Sequence, residues 1–473
     1  MQNYWKITTP LFFAIVVDAF SITLPSVIFP ELLRSRFQLT EGTIGSLMGV
    51  FDGVVSLSLM LSSLLIGHFS DFVSRKFLLL IGLSSNALSL SILAYSTNIY
   101  WIFISRILGY SLNATWVLCS AFISDLTKHD SKLRCLSFAY SAAAFSLARA
   151  LASGIGGVLV LDVDWGFLYD PFSLPILFAV CFQIFGALIV SLYVHDNRHV
   201  QSNVSQSTQG QSVSIPRVSS VINSEVSFLA TPDVLSEVDV ITPESSLLNS
   251  SPDEDPKATC QSKAGFVNGL LLISKDKTLL QSSLVYCFNQ LGNGTTLVVL
   301  VLFNTLPLEQ GGLGFTPRLA GIHFLIFGLL CVSFQVLFFK RLLNWLSLQK
   351  VFMMGSICIG VGNFLSPFAV FVSKNLTWPV LFLSIFLCAI GWICGSCALS
   401  MTVNCNKSSQ TGLIHGALNS AVSIFRMIGS LSGGLLFGFF LYFQSPFLIG
   451  VWPLIIYLLV FVLAFRLPNV VNG

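Results

Sequence analysis

Arg149-Ala-Leu-Ala-Ser-Gly-Ile-Gly-Gly157 returns, 277 positions later, as Arg426-Met-Ile-Gly-Ser-Leu-Ser-Gly-Gly434. Each copy starts on an arginine, runs through small residues and ends on Gly-Gly, and each lies inside a long apolar stretch. A second match sits at an offset of 276, where Thr40, Gly45 and Phe51 meet Thr316, Gly321 and Phe327. Two matches at nearly one offset imply a chain built from two copies of one unit. In an apolar chain such a repeat points to two helical bundles with a site between them.

The composition fits that reading. Of 473 residues 54% are hydrophobic and 10% charged, against about 25% charged in soluble domains. So few ionisable groups cannot cover a water-facing surface, whereas lipid-facing positions need none. The mean hydropathy is +0.82. A net charge of +3 without a basic block excludes a nucleic-acid surface. The 11 cysteines fall mostly inside apolar runs and read as small packed hydrophobes. Cys394 and Cys397 form a CxxC, but no His or acid stands near them in sequence.

About 20 apolar residues cross a bilayer as a helix. Twelve such runs are present, at roughly 9–30, 43–66, 77–97, 99–124, 135–160, 174–194, 279–306, 318–339, 350–372, 377–400, 411–442 and 445–466. The first is long enough to span and shows no cleavable leader. Residues 195–277 are rich in Ser, Thr, Asp and Glu, and their composition predicts a disordered linker. The expected fold class is therefore all-α polytopic, with twelve transmembrane helices in two pseudo-symmetric six-helix bundles. The expected division is 1–194, linker 195–277, and 278–473. Lys and Arg concentrate on the side that holds both termini and the linker, Arg75, Lys76, Lys132, Arg134, Lys340 and Arg341 among them. The opposite side has Arg34, Arg36, Arg318 and Lys374. The positive-inside rule then puts both termini and the linker in the cytoplasm.

Between the second and third runs stands Gly67-His-Phe-Ser-Asp71-Phe-Val-Ser-Arg75-Lys76. Gly67 permits close helix approach, Asp71 caps a tight turn, and the two cations hold an inside loop. This G-x-x-x-D-x-x-x-R-K pattern resembles the signature loop of the major facilitator superfamily. Arg106-Ile-Leu-Gly109, opening the fourth run, resembles that family's second motif. The resemblance implies that Arg106 lies near the coupling or substrate site. It also implies that Asp71, Arg75, Asp125 and Arg134 form a charge cluster closing the cytoplasmic side. The segment ending Ala152-Ser153-Gly154-Ile155-Gly156-Gly157 is similar to the antiporter motif of the drug:proton antiporter branch, with Ala-Ser in place of Gly-Pro. Gly412-Leu-Ile-His-Gly416 and its continuation to Gly434 resemble the eleventh helix of zinc-induced facilitator-like proteins and their fungal relatives.

Charge at membrane depth costs several kcal/mol, so each case is a functional candidate. Asp18 and Asp52 are the only deep carboxylates, because after Lys277 the only acidic residue is Glu309, outside the helices. Asp18 is expected to take and release a driving proton, with Arg106 holding it ionised when close and releasing it by moving away. The alternative is a permanent ion pair that fixes packing. Arg149 and Arg426, mates in the repeat, hold either an anionic substrate or interhelical carbonyls. Asn113, Asn289, Gln290 and His323 are further candidates for the cavity wall. No metal-ligand cluster or cofactor motif is expected, so a chelator or organic anion fits better than a bare metal ion. No nucleophile–base pair suggests an enzyme.

Thr231-Pro, Thr242-Pro and Ser251-Pro in the linker are candidate kinase sites, and Asn375-Leu-Thr377 is a glycosylation sequon. The expected function is proton-coupled carriage of a small organic molecule or anion by a monomer in the plasma membrane or in a vacuolar or other endomembrane. The alternative is a non-transporting nutrient receptor or regulatory protein of the same fold.

Overall fold

A computed structural model of the chain describes residues 2–69, 73–113, 115–127, 131–160, 170–194, 266–406, 411–468 and 471. Among them are twelve helices long and apolar enough to cross a membrane. The first six are α1 (Thr8–Phe37), α2 (Glu41–Ser63), α3 (Arg75–Ala94), α4 (Ile99–Ile123), α5 (Leu136–Val158) and α6 (Ser173–Tyr193). The last six are α7 (Lys277–Thr305), α8 (Pro317–Trp345), α9 (Leu348–Phe368), α10 (Asn375–Cys405), α11 (Gly416–Tyr442) and α12 (Pro446–Phe465). With an even number of crossings, both chain ends lie on one face, here the terminal face; the other is the far face.

The duplication read from sequence is present in the packing. In the first bundle α1 packs on α5 and α3 on α4 and α6; in the second α7 packs on α11 and α9 on α10 and α12. The bundles meet through α2 against α11 and α5 against α8, the two pairs that carry the repeated glycines. An added Cβ at Gly434 would come within 2.5 Å of the Gly45 carbonyl oxygen and 2.8 Å of Gly49 Cα. One at Gly321 would come within 2.5 Å of the Ser153 oxygen and 3.1 Å of Gly157 Cα. Backbone thus lies on backbone in two seams on the far half of the molecule, as small residues allow between membrane helices. The two halves form one unit, Met1–Asp196 with Ala264–Gly473.

Three spans depart from simple helix. α4 breaks at Asn113, between Ile99–Ser111 and Thr115–Leu126, and α10 breaks at Trp392-Ile393. α8 carries a π-turn over Phe334–Phe338. Within the stretch expected to lack order, Phe266–Lys275 is helical and packs on α11 and α7, with Ile273 buried. Its apolar run, Leu270-Leu-Leu-Ile273, can bury surface that the Ser-rich part of the linker cannot. Asp276 then accepts from the Thr278 and Leu279 amides, 2.9 and 3.3 Å, and starts α7. Residues 195–265, with the three kinase-site candidates, lie outside the described residues.

Candidate functional site

Two connected cavities lie between the bundles, on the terminal side of the glycine seams and beside them. The larger holds about 210 Å³. The first bundle contributes Asp18, Asn113 and Arg149 to its wall, and the second contributes Gln290, Gln335 and Arg426. The rest is largely aromatic and aliphatic, with Trp116, Phe138, Phe145 and Trp392 prominent. The arrangement is an apolar vessel with a few convergent polar groups, the usual make-up of a small-molecule site. The Arg149 guanidinium carbon stands 5.1 Å from the centre of Trp392 and 5.9 Å from that of Phe145, a cation held on ring faces.

Asp18 is set by the break in α4. With the helix interrupted, Asn113 Oδ1 is free to accept from the Thr115 amide (3.0 Å) and hydroxyl (2.8 Å), restarting the helix. This fixes the Asn113 side chain so that its Nδ2 donates to Asp18 Oδ1. Asn86 Nδ2, from α3, donates to the same oxygen at 3.1 Å and to Ser21 Oγ at 3.0 Å. Asp18 is 6% exposed and yet lines the cavity, so one carboxyl group faces both a neutral amide cluster and the open space between the bundles. Both contacts on it come from neutral donors. The expected Asp18–Arg106 contact is not formed: none of the Arg106 nitrogens makes a well-formed hydrogen bond among the described residues.

Arg106 lies in the second, deeper cavity of about 40 Å³, which also receives Asp52, Arg149 and Arg426. Its Cζ lies 5.2 Å from the ring centre of Phe51 and 5.8 Å from that of Tyr110. Asp52 is in electrostatic range of all three arginines, with no ion pair between them among the described residues. Arg149 and Arg426 belong to both cavities and form the neck between them.

Gln290 and Asn113 line the larger cavity, and two other candidates do not. His323 Nδ1 is 2.9 Å from Asn304 Nδ2, and the ring packs edge-on to Phe315 in a small apolar recess between α8 and α10. Asn289 is fully buried within the second bundle and reaches neither cavity. The reason is helical phase: residues 286, 290 and 293 of α7 share the cavity face, and 289 turns away from it. Of the expected terminal-face cluster, Arg75 starts α3, buried, with its guanidinium 5.0 Å from the Phe122 ring. Lys76 is half-buried beside it, and Gly67 lies in the helix Glu41–Phe69. Asp71 and the side chains of Asp125 and Arg134 lie outside the described residues.

Sequence reasoning passed over Asn86, Gln335, Trp392 and Asn293. Asn293 Oδ1 accepts from the Tyr457 hydroxyl at 2.8 Å. Gln335 is turned into the cavity by the π-turn, where Ser146 Oγ is 3.5 Å from its Oε1. A search over every neutral amide inside the spans, beyond Asn113, Asn289 and Gln290, would have found Asn86, Asn293 and Gln335. On the far face Arg34 bonds Glu31 and Glu41, and Arg36 bonds Asp170, so these two arginines are held in ion pairs. Among the described residues no group of three or more His, Cys, Asp or Glu could hold a metal.

Comparison with known proteins agrees with this architecture. Residues 11–404 match the family model of the Major Facilitator Superfamily. The chain is similar to the tetracycline resistance protein, class H, of Pasteurella multocida, 26% identical over 171 residues. That match spans 36% of this chain and 42% of the relative, so the chain spans under half the length of the curated relative. Among solved structures it resembles the human organic anion transporter MFSD10 (TETRAN), with a TM-score of 0.65, 17% identity, and 97% and 99% of the two chains covered. It also resembles a D-xylose-proton symporter, with a TM-score of 0.68, 12% identity and 99% of each chain covered. Twelve apolar spans, a duplicated bundle and a family match over most of the length lead to one assignment: the chain belongs to the Major Facilitator Superfamily, as a multi-pass integral membrane protein with the fold of secondary transporters.

Proposed function

We propose that this protein is a proton-coupled carrier of a small organic molecule or anion, working by alternating access. The observation that carries the reading is the placement of Asp18. It lines the larger cavity while its carboxyl is held by neutral amides, so it can gain or lose a proton without losing an ion-pair partner. Arg149 and Arg426 face the same space from opposite bundles and suit a negatively charged cargo. Coupling then follows from competition within one vessel: a proton on Asp18 removes a negative charge from the wall, and bound cargo adds one elsewhere.

Alternating access requires the bundles to rock about the site. The glycine seams close the far half in this state, and the opposite state opens them. Both termini and residues 195–277 are assigned to the cytoplasm on the Lys and Arg bias, and the phosphorylation candidates of that segment would act on trafficking. The similarity to a tetracycline resistance protein supports a small organic molecule as cargo. The membrane is the plasma membrane or an endomembrane, and the working unit is a monomer.

Flux in liposomes tests the reading. Purified protein under an imposed pH gradient should move an organic substrate, and collapsing the gradient with a protonophore should stop it. Asp18→Asn should abolish gradient-driven flux at a normal protein level, while counterflow exchange without a gradient persists. Absence of flux in the unaltered protein, across a broad substrate panel, would favour the receptor reading.

A further inference from the structure

The deeper cavity is out of charge balance. Asp52 is the one carboxylate on its wall, against the guanidiniums of Arg106, Arg149 and Arg426. Arg106 is 1% exposed, and none of its three nitrogens makes a well-formed hydrogen bond among the described residues; the nearby Tyr110 hydroxyl could meet one of its five donors at most. Ring faces of Phe51 and Tyr110 attract the cation, but they do not replace the hydrogen bonds a guanidinium gives up on leaving water. A buried group with five donors calls for an acceptor of its own. The geometry that answers is planar and negative, because a carboxylate accepts two parallel bonds from a guanidinium.

The space available is small. About 40 Å³ is roughly a fifth of the larger cavity's 210 Å³ and suits a group the size of a carboxylate better than the body that carries it. The neck, through Arg149, Arg426, Phe145 and Leu297, leads to the larger cavity, whose walls include Trp116, Phe138 and Trp392. Resting on the carrier reading above, we propose that the deep cavity seats the anionic head group of the cargo. The substrate class is then an amphiphilic organic anion. Its oxyanion binds Arg106, with Arg149 and Arg426 at the neck, and its aromatic or apolar body fills the larger cavity. Asp52 sets the limit on affinity, since its charge competes with the head group for the same arginines.

The test is equilibrium binding to the purified full chain in detergent micelles, with no gradient, by calorimetric titration. The probes are 4-phenylbutyrate, its neutral amide 4-phenylbutanamide, and acetate. The carboxylate should bind about tenfold tighter than the amide, the gain expected when a neutral hydrogen bond becomes charge-assisted. Arg106→Gln should bring the carboxylate down to the amide and leave the amide unchanged. Asp52→Asn should tighten the carboxylate several-fold, a gain that misfolding cannot imitate. Equal binding of the two probes, binding of neither, or a preference that survives Arg106→Gln overturns the proposal. Acetate binding as tightly as 4-phenylbutyrate also overturns it, by making the chamber a seat for free small anions. Flux in liposomes without the carboxylate preference removes this inference alone. The preference without flux removes the carrier reading and leaves the anion seat standing.

Discussion

The two halves share a scaffold and differ in chemistry. Corresponding helices pack in the same pairs, the Arg149 and Arg426 segments stand at matching places, and α4 and α10 break at nearly equivalent points. Yet the break in α4 holds Asn113 against Asp18, whereas the break in α10 holds Trp392 over Arg149. The first half has two deep carboxylates and the second has none. The duplicated backbone supplies closure and symmetry of motion, and the side chains that diverged divide the work. On the proposed function the proton falls to the first half through Asp18, and the second half adds the amides of Gln290 and Gln335 and the rings of Tyr286 and Trp392 to the wall.

The sharpest way to break this comparison is at Asp18. Asp18→Asn should reduce pH-driven flux in liposomes to the level of empty vesicles, while removing the polar wall residue Gln290 by Gln290→Leu should shift KM and leave proton dependence in place. A retained pH response in the first variant would sink the division of labour. Next in size are the seams. Gly434→Val and Gly321→Val should each cost about 1–3 kcal/mol through overpacking, read as a lower Tm in detergent. Because the seams are mates in the repeat, the two losses should be similar; a loss in one alone would show that only one seam bears load.

Smaller effects should follow at the repeated arginines. Arg149→Lys gives up the flat stacking on Trp392, so KM should rise about tenfold, whereas Arg426→Lys, with no ring partner among the described residues, should change it less. The smallest effect is expected at His323, which sits off the transport route. His323→Leu should leave flux unchanged and lower stability by about 1 kcal/mol, since Asn304 loses a partner. A change of pH profile in that variant would make His323 a coupling residue.

What could be read from the sequence was what the bilayer dictates along one dimension. Span number, the duplication and the sparse deep charges follow from the cost of polar groups in lipid, and all appear in apolar runs. Asp52, Arg106, Arg149 and Arg426 were legible for that reason, and the structure brings them around one cavity. Their pairing was not legible. Asp18 meets two amides because a break in α4 turns Asn113 toward it, and no proline or glycine marks that break. Asn-x-Thr at mid-span was the available signal, since an Asn side chain caps the backbone two residues on. Asn289 and Gln290 differ by one position, and only the phase of α7 separates the buried one from the one on the wall. His323 looked functional by residue type alone, but Asn304 and Phe315, from elsewhere in the second half, decide its surroundings.

The glycine seams carry one more consequence. Where the contacts at Gly49, Gly157, Gly321 and Gly434 are main chain on main chain, no rotamer can flip to ease the helices apart by degrees. Dispersion at such short range fades within about an ångström of separation. Each zipper therefore behaves as a latch with two settings, shut or released, so the molecule should dwell in end states and cross between them abruptly.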